Sequence, residues 1–121
     1  MAWHTTAHEY RNIPMRSAVE VEWARFLDAS GIVWEYEPVR FAPRSPRPYT
    51  PDFGLDGDCS VFLEVKGSDR LSNYVMACPF PLIIVFGFPH NLRAVSTFTP
   101  SAGLRSAARW SEALNTMRGE S

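Results

Sequence analysis

"YTPDFGLDGDCSVFLEVKG", residues 49–67, reads as two strands folded back on each other. "YTPDFGL" is a short strand broken by Pro51, "DGD" is turn chemistry, and "SVFLEVK" is a further strand. The pairing sets Asp52 beside Glu64. Upstream, "IVWEYEPVRF" (32–41) alternates as a strand with Val33 inward and Tyr36 as a second inward candidate, and Pro38 restricts it to a sheet edge or a bulge. These three segments form a meander.

Beyond the meander, residues 16–29 ("RSAVEVEWARFLDA") carry Val19, Trp23, Phe26 and Leu27 at helical spacing; Pro14 marks the start and Ser30 and Gly31 the end. "SDRLSNYVMAC" (68–78) predicts a short helix opening at Ser68. "PLIIVFG" (81–87) is a near-continuous apolar run of the kind buried on both faces, so it belongs in mid-sheet. "RAVSTF" (93–98) adds a fifth strand. "LRSAARWSEALNTMR" (104–118) predicts a closing helix burying Ala107, Trp110, Leu114 and Met117. The expected class is α/β, with a central four- to five-stranded mixed sheet flanked by helices. At 121 residues and 45% hydrophobic content the chain fits one domain, 1–121.

No apolar run reaches the roughly 20 residues of a membrane span, which predicts no membrane association and a cytoplasmic location. Cys59 and Cys78 are too few for a tetrahedral zinc site, so free buried thiols are expected. His4 and His8 lack the glutamate pattern of a zinc-protease helix, and His90 reads as a loop residue. Trp23, Trp34 and Trp110 read as packing residues.

Charge is uneven along the chain. Residues 51–70 hold five acids against two bases, a balance of −3, whereas residues 88–118 hold four arginines against Glu112, a balance of +3. An acidic pocket with basic flanks suits a metal ion that must meet a phosphate. Lys66 is the sole lysine beside eleven arginines. If charge alone were needed, arginine would serve, but a guanidinium cannot replace the compact, tunable amine of lysine. Side chains two apart on a strand share a face, so Glu64 and Lys66 stand side by side while Val65 points away. The carboxylates of Asp52 and Glu64, with waters and a substrate phosphate, are what Mg²⁺ or Mn²⁺ takes as ligands. Such an ion polarises a phosphate, with Lys66 positioning water or steadying negative charge. On the first helix, Glu20 and Glu22 flank the apolar stripe by similar angles, so periodicity does not choose between them.

"PD" at 51–52 followed by "EVK" at 64–66 resembles the PD-(D/E)XK nuclease superfamily. "RSAVEVEWARFLDASGIVWEYEP" looks like the helix and first strand of its small phage and transposon-end endonucleases, where an arginine-serine pair precedes a glutamate by three positions. The resemblance spans about residues 16–88. It implies a restriction-endonuclease-like core, with Asp52, Glu64 and the Val65 carbonyl as metal ligands, Lys66 as the water-positioning or charge-stabilising group, and Glu20 as the helical glutamate joining the site.

The expected activity is metal-dependent hydrolysis of DNA phosphodiesters by a phage or mobile-element endonuclease, with branched or junction DNA as one substrate class. So small a domain is expected to act as a homodimer. Arg40, Arg44, Arg47, Arg70, Arg105 and Arg109 are candidate phosphate contacts. Two other readings share these residues: a catalytically silent nuclease-fold protein that binds nucleic acid or regulates, and a ribonuclease with the same metal site.

Overall fold

The structure is a computed structural model, and it describes residues 8–41, 49–67 and 78–119. A small hairpin opens it. β1 (Glu9–Tyr10) and β2 (Ile13–Pro14) are joined by Arg11 and Asn12, both at positive φ (55° and 64°). Two successive left-handed residues give a turn whose twist matches that of paired strands.

α1 (Ala18–Ala29) starts at Ser17, whose hydroxyl accepts the Glu20 N–H at 3.3 Å, while the Glu20 carboxylate reaches back to the Arg16 N–H at 2.9 Å. This reciprocal arrangement satisfies backbone donors that the first turn leaves unpaired. Val19, Trp23, Ala24 and Leu27 form the buried stripe.

Six strands make one sheet in the order β3 (Trp34–Tyr36), β4 (Phe53–Leu55), β5 (Val61–Lys66), β6 (Leu82–Phe88), β7 (Asn91–Thr99), β8 (Gly103–Ala107). β5 and β6 are parallel and every other neighbouring pair is antiparallel, so the sheet is mixed. β6 lies inside it, as its apolar run predicts. Ile83 and Val85 join the core shared with both helices, while Leu82, Ile84 and Phe86 join a second cluster with Tyr49, Phe62 and Phe98. β3 lies at the edge, the place left to a strand that runs into Pro38.

Three expectations are corrected. The sheet has six strands, not four or five. The sixth is the first half of the segment read as a closing helix: Gly103–Ala107 pair with Val95–Thr99 after a turn in which Gly103 takes φ 76° and Thr99 Oγ1 accepts the Ala102 N–H. Alanine-rich helix propensity is worth only tenths of a kcal/mol per residue, which the ladder to β7 outweighs. The helix proper, α2 (Trp110–Gly119), buries Trp110, Ala113, Leu114 and Met117.

Val33 is 63% exposed, whereas Ile32 is buried and Trp34 and Tyr36 pack against the core. Strand alternation explains this, because positions 32, 34 and 36 share a face and Val33 takes the other. Both α1 and α2 cover one side of the sheet, packing on Leu63, Ile83 and Val85. On the opposite side Phe41, Tyr49 and Cys78 pack on Phe62 and Ile84. Most of the helix expected at 68–78 falls outside the described residues, of which Cys78 alone is described. Both cysteines are free; Cys78 is buried and Cys59 only partly so. No helix among the described residues is long and apolar enough to cross a membrane.

A bulge interrupts β6 between Phe86 and Gly87. Gly87 takes φ 105°, its carbonyl accepts the Trp23 indole N–H at 2.8 Å, and a Cβ there would stand 2.7 Å from the Asn91 carbonyl oxygen. Neither that conformation nor that space admits a side chain, and the blocking atom is backbone. Gly87→Ala is expected to destabilise the fold by about 1–3 kcal/mol. Urea unfolding followed by tryptophan fluorescence checks this; an unchanged midpoint contradicts the account of the bulge.

Candidate active site

The site forms where β4 and β5 part. The ladder runs Leu55↔Val61, Gly54↔Phe62, Phe53↔Leu63, and one further step would set Asp52 opposite Glu64. Pro51 supplies no N–H to continue the pairing. The Asp52 backbone turns to its other neighbour, its carbonyl accepting the Glu37 N–H at 2.8 Å, while its Oδ2 accepts the Val65 N–H at 2.7 Å. A side chain replaces the lost ladder partner. The carboxylate is thereby pinned to β5, one residue from Glu64.

Glu64 leaves β5 on the face shared with Phe62 and Lys66. Its Oε1 accepts the Tyr49 hydroxyl at 2.6 Å, and its Oε2 stands 3.0 Å from Lys66 Nζ. Glu20 arrives from the first turn of α1, its Oε1 accepting both the Tyr36 hydroxyl at 2.8 Å and the Arg16 N–H at 2.9 Å. Glu22, its rival by periodicity, is 43% exposed in its side chain and pairs with Arg25. The structure therefore brings Glu20 to the acids and leaves Glu22 on the surface.

Glu20, Asp52 and Glu64 are all buried, at 5%, 5% and 6% exposure. Burial holds the Asp52 carboxyl well above the usual carboxylate range. The negative charges of Glu64 and Glu20 push it the same way, as does a hydrogen bond with Glu20, while the Val65 N–H opposes them. The three carboxylates are thus coupled through Asp52, and one ammonium, that of Lys66, pairs with Glu64. Fully ionised they total −3 against +1, a deficit of two charges that a divalent cation cancels.

The donor chemistry fits such an ion: hard oxygens from three segments, one of them an acid whose charge the fold leaves uncompensated. Among the described residues no three His, Cys, Asp or Glu side chains stand at ligand spacing. Glu64 is engaged by Lys66, and Asp52 by Glu20.

The arginines divide. Arg44, Arg47 and Arg70 lie outside the described residues. Arg40 is exposed, just beyond β3. Arg105 is exposed on β8, three strands from β5, which is roughly 14–15 Å at the usual strand spacing. Arg109 is exposed and donates to Ser111. Neither Arg105 nor Arg109 is brought to the acids. Arg93 is closer: from β7 its Nη2 donates to the carbonyl of Gly67, the residue after Lys66, at 3.1 Å.

Two site residues were not singled out from the sequence for this place. Tyr49 stands three positions before Asp52, and Tyr36 is the second inward residue of β3. Both are tyrosines on segments flanking the acids, a signal that spacing alone does not carry. A separate cavity of about 610 Å³, lined by Arg11, Asp28, Trp34 and Tyr36 among others, touches the site only through Tyr36.

Comparison of the chain with protein-family models, with curated proteins and with solved structures finds no match.

Proposed function

We propose that this chain is a nuclease that hydrolyses DNA phosphodiesters with Mg²⁺ or Mn²⁺, on a restriction-endonuclease-like core. One observation carries the reading. Three buried acids from three separate segments are coupled, Asp52 to both Glu64 and Glu20, and Glu64 is paired with the only lysine of the chain where two strands separate. Burying several carboxylates together without full compensation costs stability, and such clusters are found where chemistry needs them.

In this reading Asp52, Glu64 and the Val65 carbonyl hold the ion, and Glu20 joins them. An ion held there would supply Lewis-acid chemistry to the scissile phosphate. The Val65 N–H fixes the Asp52 carboxylate in place. Lys66, next to Glu64 on the same strand face, would present its ammonium to the attacking water or to a phosphate oxygen. Arg93, seated against the strand that carries Lys66, is placed to meet the DNA backbone. A homodimer would present two such sites to two strands, as a phage or mobile-element endonuclease acting on branched DNA requires.

The ion pair between Lys66 and Glu64 also suits a nuclease fold that binds nucleic acid without cutting it. Incubating the protein with supercoiled plasmid, a four-way junction, single-stranded DNA and RNA, each with Mg²⁺, Mn²⁺ or EDTA, separates the readings. Metal-dependent cleavage of DNA is expected. Cleavage confined to RNA would replace DNA by RNA as substrate, and no product from any substrate would leave the silent protein.

A further inference from the structure

We propose that Tyr49 and Tyr36 are positioning residues for the metal site: each hydroxyl ties down one oxygen of an acid so that its other oxygen is aimed at the ion. The inference rests on the metal-site reading above.

The hydrogen bonds follow one pattern. Glu64 Oε1 is taken by Tyr49 at 2.6 Å, Glu20 Oε1 by Tyr36 at 2.8 Å, and Asp52 Oδ2 by the Val65 N–H at 2.7 Å. One oxygen of each acid is therefore held by a donor. The second oxygen of Glu64, Oε2, stands beside Lys66, and Asp52 and Glu20 share a hydrogen bond with each other. Both tyrosines are themselves anchored. Tyr49 exchanges paired backbone hydrogen bonds with Phe41 at 2.7 Å, and the ring of Tyr36 packs edge-on against Phe53 at 5.6 Å.

The choice of donor is informative. A lysine or arginine in either place would neutralise the acid and compete with a cation. A phenol orients the carboxylate and leaves its charge for the ion. Partners of this kind commonly change metal affinity by about 10–100-fold when removed.

The test uses the full chain and Mn²⁺ alone, with free Mn²⁺ followed by electron paramagnetic resonance. Tyr49→Phe is expected to weaken Mn²⁺ binding about tenfold or more. Tyr36→Phe is expected to weaken it less, because the Arg16 N–H still holds Glu20 Oε1. DNA binding in EDTA should stay at the wild-type level in both, a combination that a merely structural tyrosine would not produce. Near-UV circular dichroism establishes that each variant is folded, and if Tyr49→Phe is not, Tyr36→Phe decides. Mn²⁺ affinity within twofold of wild type in the folded variants overturns the tyrosine assignment alone. Absence of Mn²⁺ binding by the wild type overturns the metal-site reading, and this inference with it.

Discussion

Asp52→Asn is expected to make the metal-free protein more stable and at the same time to remove its metal-dependent cleavage of DNA. The carboxyl is buried beside Glu64 and Glu20, which hold its proton on well above the usual range. A group whose folded pKa is raised contributes its stability fully below the unfolded value and loses it as pH rises through the folded one. Above the ordinary carboxylate range the carboxyl is therefore a growing liability to the metal-free fold. The amide of Asp52→Asn keeps an oxygen to accept the Val65 N–H and turns its NH₂ towards Glu20, replacing repulsion by a hydrogen bond.

The gain expected in EDTA at pH 7.5 is about 1 kcal/mol, shrinking as pH falls towards the carboxylate range. Cleavage should fall on the order of 10³-fold, since a neutral amide is a poor ligand for a hard cation. Thermal unfolding from pH 5 to pH 8, paired with plasmid cleavage, measures both. If Asp52→Asn proves less stable than wild type across that range, the site is a structural cluster and the functional reading loses its support.

Lys66 separates charge from chemistry. Lys66→Ala is expected to lower the cleavage rate roughly 10²–10³-fold, the scale on which a group stabilising transition-state charge acts. Lys66→Arg should recover little of it, because a planar guanidinium neither fits the space of an ammonium nor serves as its point charge. Removing the amine also releases Glu64 Oε2, so the Mn²⁺ affinity of Lys66→Ala should equal or exceed that of wild type. Single-turnover cleavage at saturating Mn²⁺ and direct Mn²⁺ titration give the two halves. Full activity in Lys66→Arg would mean that position 66 requires only a positive charge, and the unusual retention of a lysine there would have no catalytic meaning.

Sequence legibility followed the range of the forces involved. β5 and β6 were readable because burial on one or both faces writes itself into residue order, and Glu64 and Lys66 share a face by strand period alone. The start of α1 was read from Pro14, which instead lies in β2; the helix begins at Ala18 after the Ser17 cap, and the bond between Ser17 and Glu20 fixes where the glutamate emerges. β8 was not legible, because Leu104 and Arg105 are exposed and their strand state comes from pairing with β7 rather than from their own pattern. The choice of Glu20 over Glu22 lay equally outside periodicity, since it depends on where β3 delivers the Tyr36 hydroxyl.

Residue order alone thus specified an α/β chain with a mixed sheet, an acid and an amine on one strand face, and a second acid on the strand before it. Strand alternation and proline chemistry act between near neighbours, which is why they can be read without coordinates. The convergence of α1, the β4 entry and β5 on one buried spot, the raised proton affinity of Asp52, and the two phenols that hold its neighbours belong to the folded molecule. Electrostatic coupling and desolvation depend on distances between segments far apart in the chain, and only packing sets those distances.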